Sequence, residues 1–186
     1  MSLSSCKSGK MRLIALSATA LAVLTFSAGS ALAISQSGEQ KDVRRVGHTD
    51  LQGRRAYHPD FIDYPDERVI AFVGTHSGDH PNPLNGGAVE RNGTMIIDIT
   101  DPKKPVEKFH IPGVAGAQTQ SNRMCLGSDL GGGLPPDNVY LMRNVQSNNV
   151  ADTGYQVWDV TDVTNPTLVY WLHGITRATN TREWDW

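Results

Sequence analysis

Beyond its first third the chain is written in short apolar runs, each closed off by Gly, Pro, Asn or Asp. "RVIAFVG" (68–74), "TMIIDI" (94–99), "VEKFHI" (106–111), "SNRMCLG" (121–127) and "NVYLMRN" (138–144) are rich in β-branched and aromatic residues, which predicts strands. No long segment spaces its apolar residues at threes and fours, and no capped helix start precedes one, so little helix is expected. Asn92-Gly93 is the dipeptide best suited to a two-residue hairpin turn, and it predicts that Ala88–Arg91 pairs with Thr94–Thr100. In "TDPKKP" the Asp101 carboxylate is placed to accept the amide of Lys103, and Pro102 presets the turn. Pro105, with no amide to donate, releases the chain into the next strand. The stretches 76–87 and 128–138, rich in Gly, Pro, Asn and Asp, read as long loops of the kind that gather on a binding face.

One passage is written twice. "GTMIIDITDPKKPVEKFHIPG" at 93–113 aligns without a gap to "GYQVWDVTDVTNPTLVYWLHG" at 154–174, with Gly93/Gly154, Asp98/Asp159, Thr100/Thr161, Asp101/Asp162, Pro105/Pro166 and Gly113/Gly174 identical. Each copy reads as a strand, an Asp/Pro turn and a returning strand, and each is preceded by another strand. About four short strands per repeat is the pattern of a β-propeller blade. A β-sandwich also uses short strands between turns, but it has no need of internal repetition. The expected fold is therefore all-β: a β-propeller fragment of about two blades plus part of another.

The N-terminus reads differently. Lys7, Lys10 and Arg12 lead into an apolar run from Leu13 to Phe26 and then Ala31-Leu32-Ala33, a secretory signal peptide over 1–33 with Met11 as an alternative start. The run is shorter than the ~20 residues a membrane span needs. Expected domains are thus the signal peptide, a flexible mature N-terminus at 34–45, and a partial propeller over 46–186 that stops short of its natural end. The expected location is periplasmic or extracellular, with no transmembrane segment after cleavage.

"MIIDITDPKKPV" and "VWDVTDVTNPT" resemble the repeat of the LVIVD-repeat β-propeller proteins, an apolar run ending in Asp followed by an Asp/Pro turn. "GHTDLQGRRAYHPDF", "VIAFVGTHSG" and "NPLNGGAVERNGT" are similar to a group of exported bacterial members of that family whose roles are mostly unassigned. The likeness spans residues 46–186 and implies further blades past Trp186. The final "ITRATNTREWDW" departs from the His- and Trp-containing segment that the resemblance leads one to expect there.

Loss of Lys7, Lys10 and Arg12 with the signal peptide takes the net charge from −2 to −5. A chain of that sign without a basic patch excludes nucleic acid as the expected partner. Cys125 is the single mature cysteine, so no disulfide supports the fold, and it reads as a small buried hydrophobe. The candidate chemistry lies in "GTHSGDHP": His76 and His80 flank Asp79, with His48 and His58 upstream, donors of the type that hold a divalent transition metal. Gly74, Gly78 and Pro81 make this a loop, where the four-residue spacing loses its helical meaning. His110 and His173 read as structural, as do Asp98 and Asp159. Two functions stand: a binding scaffold for a protein or another extracytoplasmic ligand, and a metal-dependent extracytoplasmic enzyme using the 76–80 loop. A structural envelope component is a third. Catalysis is left open.

Overall fold

The protein is described from a computed structural model, which covers residues 44–76, 78–119 and 121–174. The signal peptide, Ile34, most of the 34–45 segment and the last twelve residues lie outside the described residues. Eleven strands are present among those described: β1 (Ala56–Asp63), β2 (Val69–Thr75), β3 (Asp79–Asn82), β4 (Ala88–Arg91), β5 (Thr94–Asp98), β6 (Val106–Ile111), β7 (Ala117–Gln118), β8 (Asn122–Leu126), β9 (Val139–Ser147), β10 (Gly154–Asp159) and β11 (Thr167–His173). Among the described residues helix is confined to single turns, including Gly127–Leu130 at the start of the 128–138 loop. Among the described residues no helix is long and apolar enough to cross a membrane.

Among the described residues all strand pairing is antiparallel. One sheet has the order β1-β2-β5-β6, and a second runs β8-β9-β10-β11 with β7 on the far end of β9. The two share their irregularity as well as their order: the ladder shifts between Ile96 and Ile97 in β5–β6, and between the matching Val157 and Trp158 in β10–β11.

The duplicated passage makes the same bonds in both places. The side chains of Asp98 and Asp159 accept the amides of Thr100 and Thr161 at 3.1 and 2.9 Å. Those threonine hydroxyls accept the amides of Val69 and Val139, each at 3.0 Å, locking the turn to the preceding strand. Asp101 accepts from Lys103, as expected from sequence, and Asp162 from Thr164.

Between the sheets lies the main core, with Ile70, Phe72, Ile96 and Ile111 from the first and Val139 and Leu141 from the second. Tyr64, Val160 and Val163 complete it from the turns. Ala71, Val73, Met95 and Ile97 alternate onto the other face of the first sheet, where Leu51 covers them.

Two expectations are corrected, and one strand was not anticipated. Asn92-Gly93 forms no two-residue turn: β4 pairs with β3, while β5 lies between β2 and β6. Gly93 is not left-handed. It is glycine because a β-carbon there would stand 2.1 Å from the Ile111 carbonyl oxygen, as one at Gly154 would stand 1.8 Å from that of Leu172. The 76–87 stretch is not all loop, since it contains β3. And the first strand of the first sheet is β1, whose pattern is broken by Pro59 and by a bulge at His58, which adopts φ 46°.

Candidate functional site

The two sheets differ where β2 and β9 turn back. Residues 148–153 carry β9 to β10, whereas the hairpin β3–β4 is inserted between β2 and β5. Asn82 starts its turn by accepting the amide of Leu84 at 3.0 Å, and Gly86 and Gly87 close it at φ 61° and 84°, where a side chain would be strained. Arg54 fastens the hairpin to the body. Its guanidinium donates to the carbonyls of His80 at 3.1 Å and Glu90 at 3.4 Å, and to the side chain of Asn92. Burial pulls Arg54 below the ordinary guanidinium pKa, opposed by the Glu90 and Glu107 carboxylates.

This arrangement brings Glu90 of β4 against His110 of β6. His110 is 2% exposed, and its Nδ1 lies 2.6 Å from Glu90 Oε2. Asn82 donates to the same oxygen at 2.9 Å and Asn85 to the other at 2.7 Å. Burial pushes the Glu90 carboxyl up, but the hydrogen bonds from His110, Asn85 and Asn82 prevail and hold it below its usual value. Burial likewise drives His110 down, to about 4; the bond to Glu90 opposes this, and the charges of Arg54 and Arg143 add to the fall.

At neutral pH the pair is therefore a carboxylate and a neutral imidazole. A carboxylate can only accept, which assigns the imidazole proton to Nδ1 and leaves a bare lone pair on Nε2. That atom is buried and has no partner among the described residues. An unmet buried acceptor costs about 1–3 kcal/mol, a penalty that a bound donor removes. A pocket of about 360 Å³ adjoins these residues, lined by Asn82, Leu84, Asn85, Glu90, Lys108, Phe109, His110, Pro112 and Thr164, while the imidazole of His110 itself is fully enclosed. The pocket's size is at the lower end of small-molecule sites.

Arg143 of β9 stands behind. It is fully buried, donates to the Ile111 and Pro112 carbonyls at 3.0 and 2.7 Å and to Gln156 at 2.9 Å, and lies 5.0 Å from the centre of the Trp158 ring. Burial lowers its pKa to about 9.

The sequence candidates are placed as follows. His48 and His58 are exposed, and His76 and His80 are half-buried. The Tyr57 ring stands 6.1 Å from His58 and 6.0 Å from His76, edge to face in both cases. Asp79 and His80 are successive residues of β3, so their side chains leave opposite faces. The Asp79 carboxylate is 3.5 Å from Arg91. Among the described residues no three His, Cys, Asp or Glu side chains are grouped to hold a metal, and His48, His58, His76, Asp79 and His80 do not form such a group.

Glu90 and His110 were not among the sequence candidates. The available signal was a departure from the repeat, since His110 stands where the second copy has Trp171. Cys125 is a free, half-buried thiol whose pKa burial raises, with Asp129 and Asp60 adding to the rise. No protein-family model matches the chain, and no curated protein matches it.

Proposed function

We propose that the chain is part of an exported β-propeller of the LVIVD-repeat type, acting as a binding scaffold that receives its ligand at the hairpin end of the first sheet. The carrying observation is a correspondence between a buried face and a free one. The first sheet packs on the second through Ile70, Phe72, Ile96, Phe109 and Ile111. By pairing register their counterparts in the second sheet are Tyr140, Met142, Val157, Tyr170 and Leu172. Tyr170 and Leu172 are 58% and 44% exposed. Tyr140 is buried and Met142 and Val157 are half-buried, so the second sheet leaves free, at its outer strand, part of the surface that the first has buried, which suits stacking of a third similar sheet and so on to closure.

Export is supported by the signal-peptide pattern of residues 1–33. Binding is supported by where the repeat is broken. Shared residues serve the fold common to both copies, whereas the hairpin, Glu90 and His110 occur in one copy and surround a pocket.

The test is site-specific photo-crosslinking in cells that export the protein with its own N-terminal segment. A crosslinking residue at Leu84, on the hairpin, is compared with one at Lys104, in the turn at the other end of the sheet. The reading expects an N-terminus at Ile34 and adducts from position 84 alone. Uncleaved protein kept in the cytoplasm, or equal adducts from both positions, would sink it.

A further inference from the structure

We infer that copies of this chain associate head to tail, the exposed ring of Phe61 on one copy entering an apolar pocket on the second sheet of the next. The inference rests on the propeller reading and names the neighbour that its open face receives.

The socket lies on the face of the second sheet turned away from the first. Cys125 of β8, Tyr140 and Met142 of β9 and Val157 of β10 stand side by side there in pairing register. With Leu130 and Arg123 they line a pocket of about 150 Å³.

The first sheet shows what such a surface takes. By register the counterparts of Cys125, Tyr140, Met142 and Val157 are Ile62, Ile70, Phe72 and Ile96. Ile70, Phe72 and Ile96 belong to the core between the sheets, and Ile62 and Met124 of β8 pack against it. Met124 is thus the side chain that the second sheet lays on this surface of the first.

Phe61 is the counterpart of Met124. Met124 pairs with Leu141, which pairs with Trp158; Phe61 pairs with Ala71, which pairs with Ile97. Ile62 faces the core, so Phe61 leaves β1 on the other side, away from the second sheet, and is 68% exposed. Leu51 covers Val73, Met95 and Ile97 in the middle of that face and leaves Phe61 free at its β1 edge.

Knob and socket therefore point away from each other across both sheets. One copy cannot join them within itself, whereas a second copy can. Such a contact is heterologous, recurs at every copy and ends when its rotation closes a ring. Each copy contributes two large sheets, so roughly two to four copies supply the roughly four to eight sheets of a closed propeller.

Cys125 on the socket wall makes the contact readable. In the whole chain carrying Cys6→Ser it is the single thiol. Its labelling by a maleimide should slow about fivefold or more as protein concentration rises through the range where sedimentation shows oligomers, because only an unoccupied socket exposes it. Phe61→Asp, at an exposed position, should restore both the monomer and fast labelling with unchanged circular dichroism. Phe61→Cys in the same chain should give, on mild oxidation, a ladder of disulfide-linked copies that Val89→Cys, with its thiol on the hairpin, does not. Within one copy thiols at 61 and 125 point apart and cannot bond. If Phe61→Asp proves misfolded, the ladder decides alone. A folded chain that stays monomeric at high concentration overturns the inference. Oligomers that Phe61→Asp leaves intact, with Cys125 as open as before, overturn it too by placing the contact elsewhere. Adducts from Leu84 would in either case leave the scaffold reading standing.

Discussion

Tyr64 donates its phenolic hydrogen to the carbonyl of Val160 across 2.7 Å, tying the turn between β1 and β2 to the residue that follows β10. Both ends of the bond are buried, and the amide of Val160 is already joined to the carbonyl of Val139. Burial raises the Tyr64 pKa well above that of a free phenol, so the hydroxyl remains a donor at any pH the fold encounters. Removing only the oxygen, in Tyr64→Phe, should cost about 1–2 kcal/mol. Urea unfolding measures this, and an unchanged midpoint would mean that the two sheets do not depend on the bond.

Gly93 and Gly154 occupy the same place in the repeat, and a β-carbon at either collides with a neighbouring carbonyl oxygen. Backbone cannot swing aside as a side chain can. Gly93→Ala and Gly154→Ala should each destabilise by about 1–3 kcal/mol. Gly116→Ala meets no atom within 4 Å, but its φ of 72° is left-handed; it should cost about 1 kcal/mol. Thermal unfolding of the three variants would rank them.

Arg143 is held in the interior by two carbonyls, one amide oxygen and an aromatic face rather than by a carboxylate. Truncation to leucine strands both carbonyls and should cost about 2–4 kcal/mol. Lysine retains the charge but cannot fork toward Ile111 and Pro112 while also reaching Gln156, so Arg143→Lys should recover less than half of that loss. Chemical denaturation of both variants distinguishes a need for geometry from a need for charge.

Acid should loosen the hairpin site in two stages. The folded His110 resists a proton that the unfolded chain accepts, so the unfolded state binds more protons between about pH 6.5 and about 4. Stability then falls on acidification, by no more than about 1.4 kcal/mol per pH unit. Glu90, whose folded pKa is depressed, contributes stability that is present above its usual 4.5 and lost as pH falls below it. His110→Phe should flatten the upper stage and also weaken the lower one, because it removes one of the hydrogen bonds that hold the Glu90 carboxyl down. Denaturation midpoints taken from pH 8 to 3 report both.

The open face of the second sheet should make this chain self-associate. Tyr170→Lys with Leu172→Lys places two charges on that face without touching the core and should shift the protein toward monomer. Analytical ultracentrifugation at several concentrations reads the change.

Much of the strand pattern was legible in the sequence because its causes are local. An Asx-turn such as Asp101 to Lys103 needs only two neighbouring residues, and an apolar run such as 106–111 announces a strand wherever it ends up. β1 was hidden by His58 and Pro59, which break the pattern that marks a strand. Asn92-Gly93 misled because both residues are committed at long range. The Asn92 side chain accepts from Arg54 and donates to the His76 carbonyl, and Gly93 makes room for the Ile111 carbonyl oxygen.

The sequence by itself determined the all-β character, most strand positions and the duplicated turn chemistry, since side-chain volume, proline and short-range hydrogen bonds act within a few residues. Tertiary structure alone decided which strands pair, that β3–β4 is an insertion, and that Glu90 meets His110. It also decided the state of that histidine. An isolated imidazole has a pKa near 6.5; only the packing that buries His110 and brings Arg54 and Arg143 near it keeps the ring neutral, with its proton toward Glu90 and a lone pair on Nε2. Desolvation depends on every surrounding atom, which is why no spacing along the chain announced it.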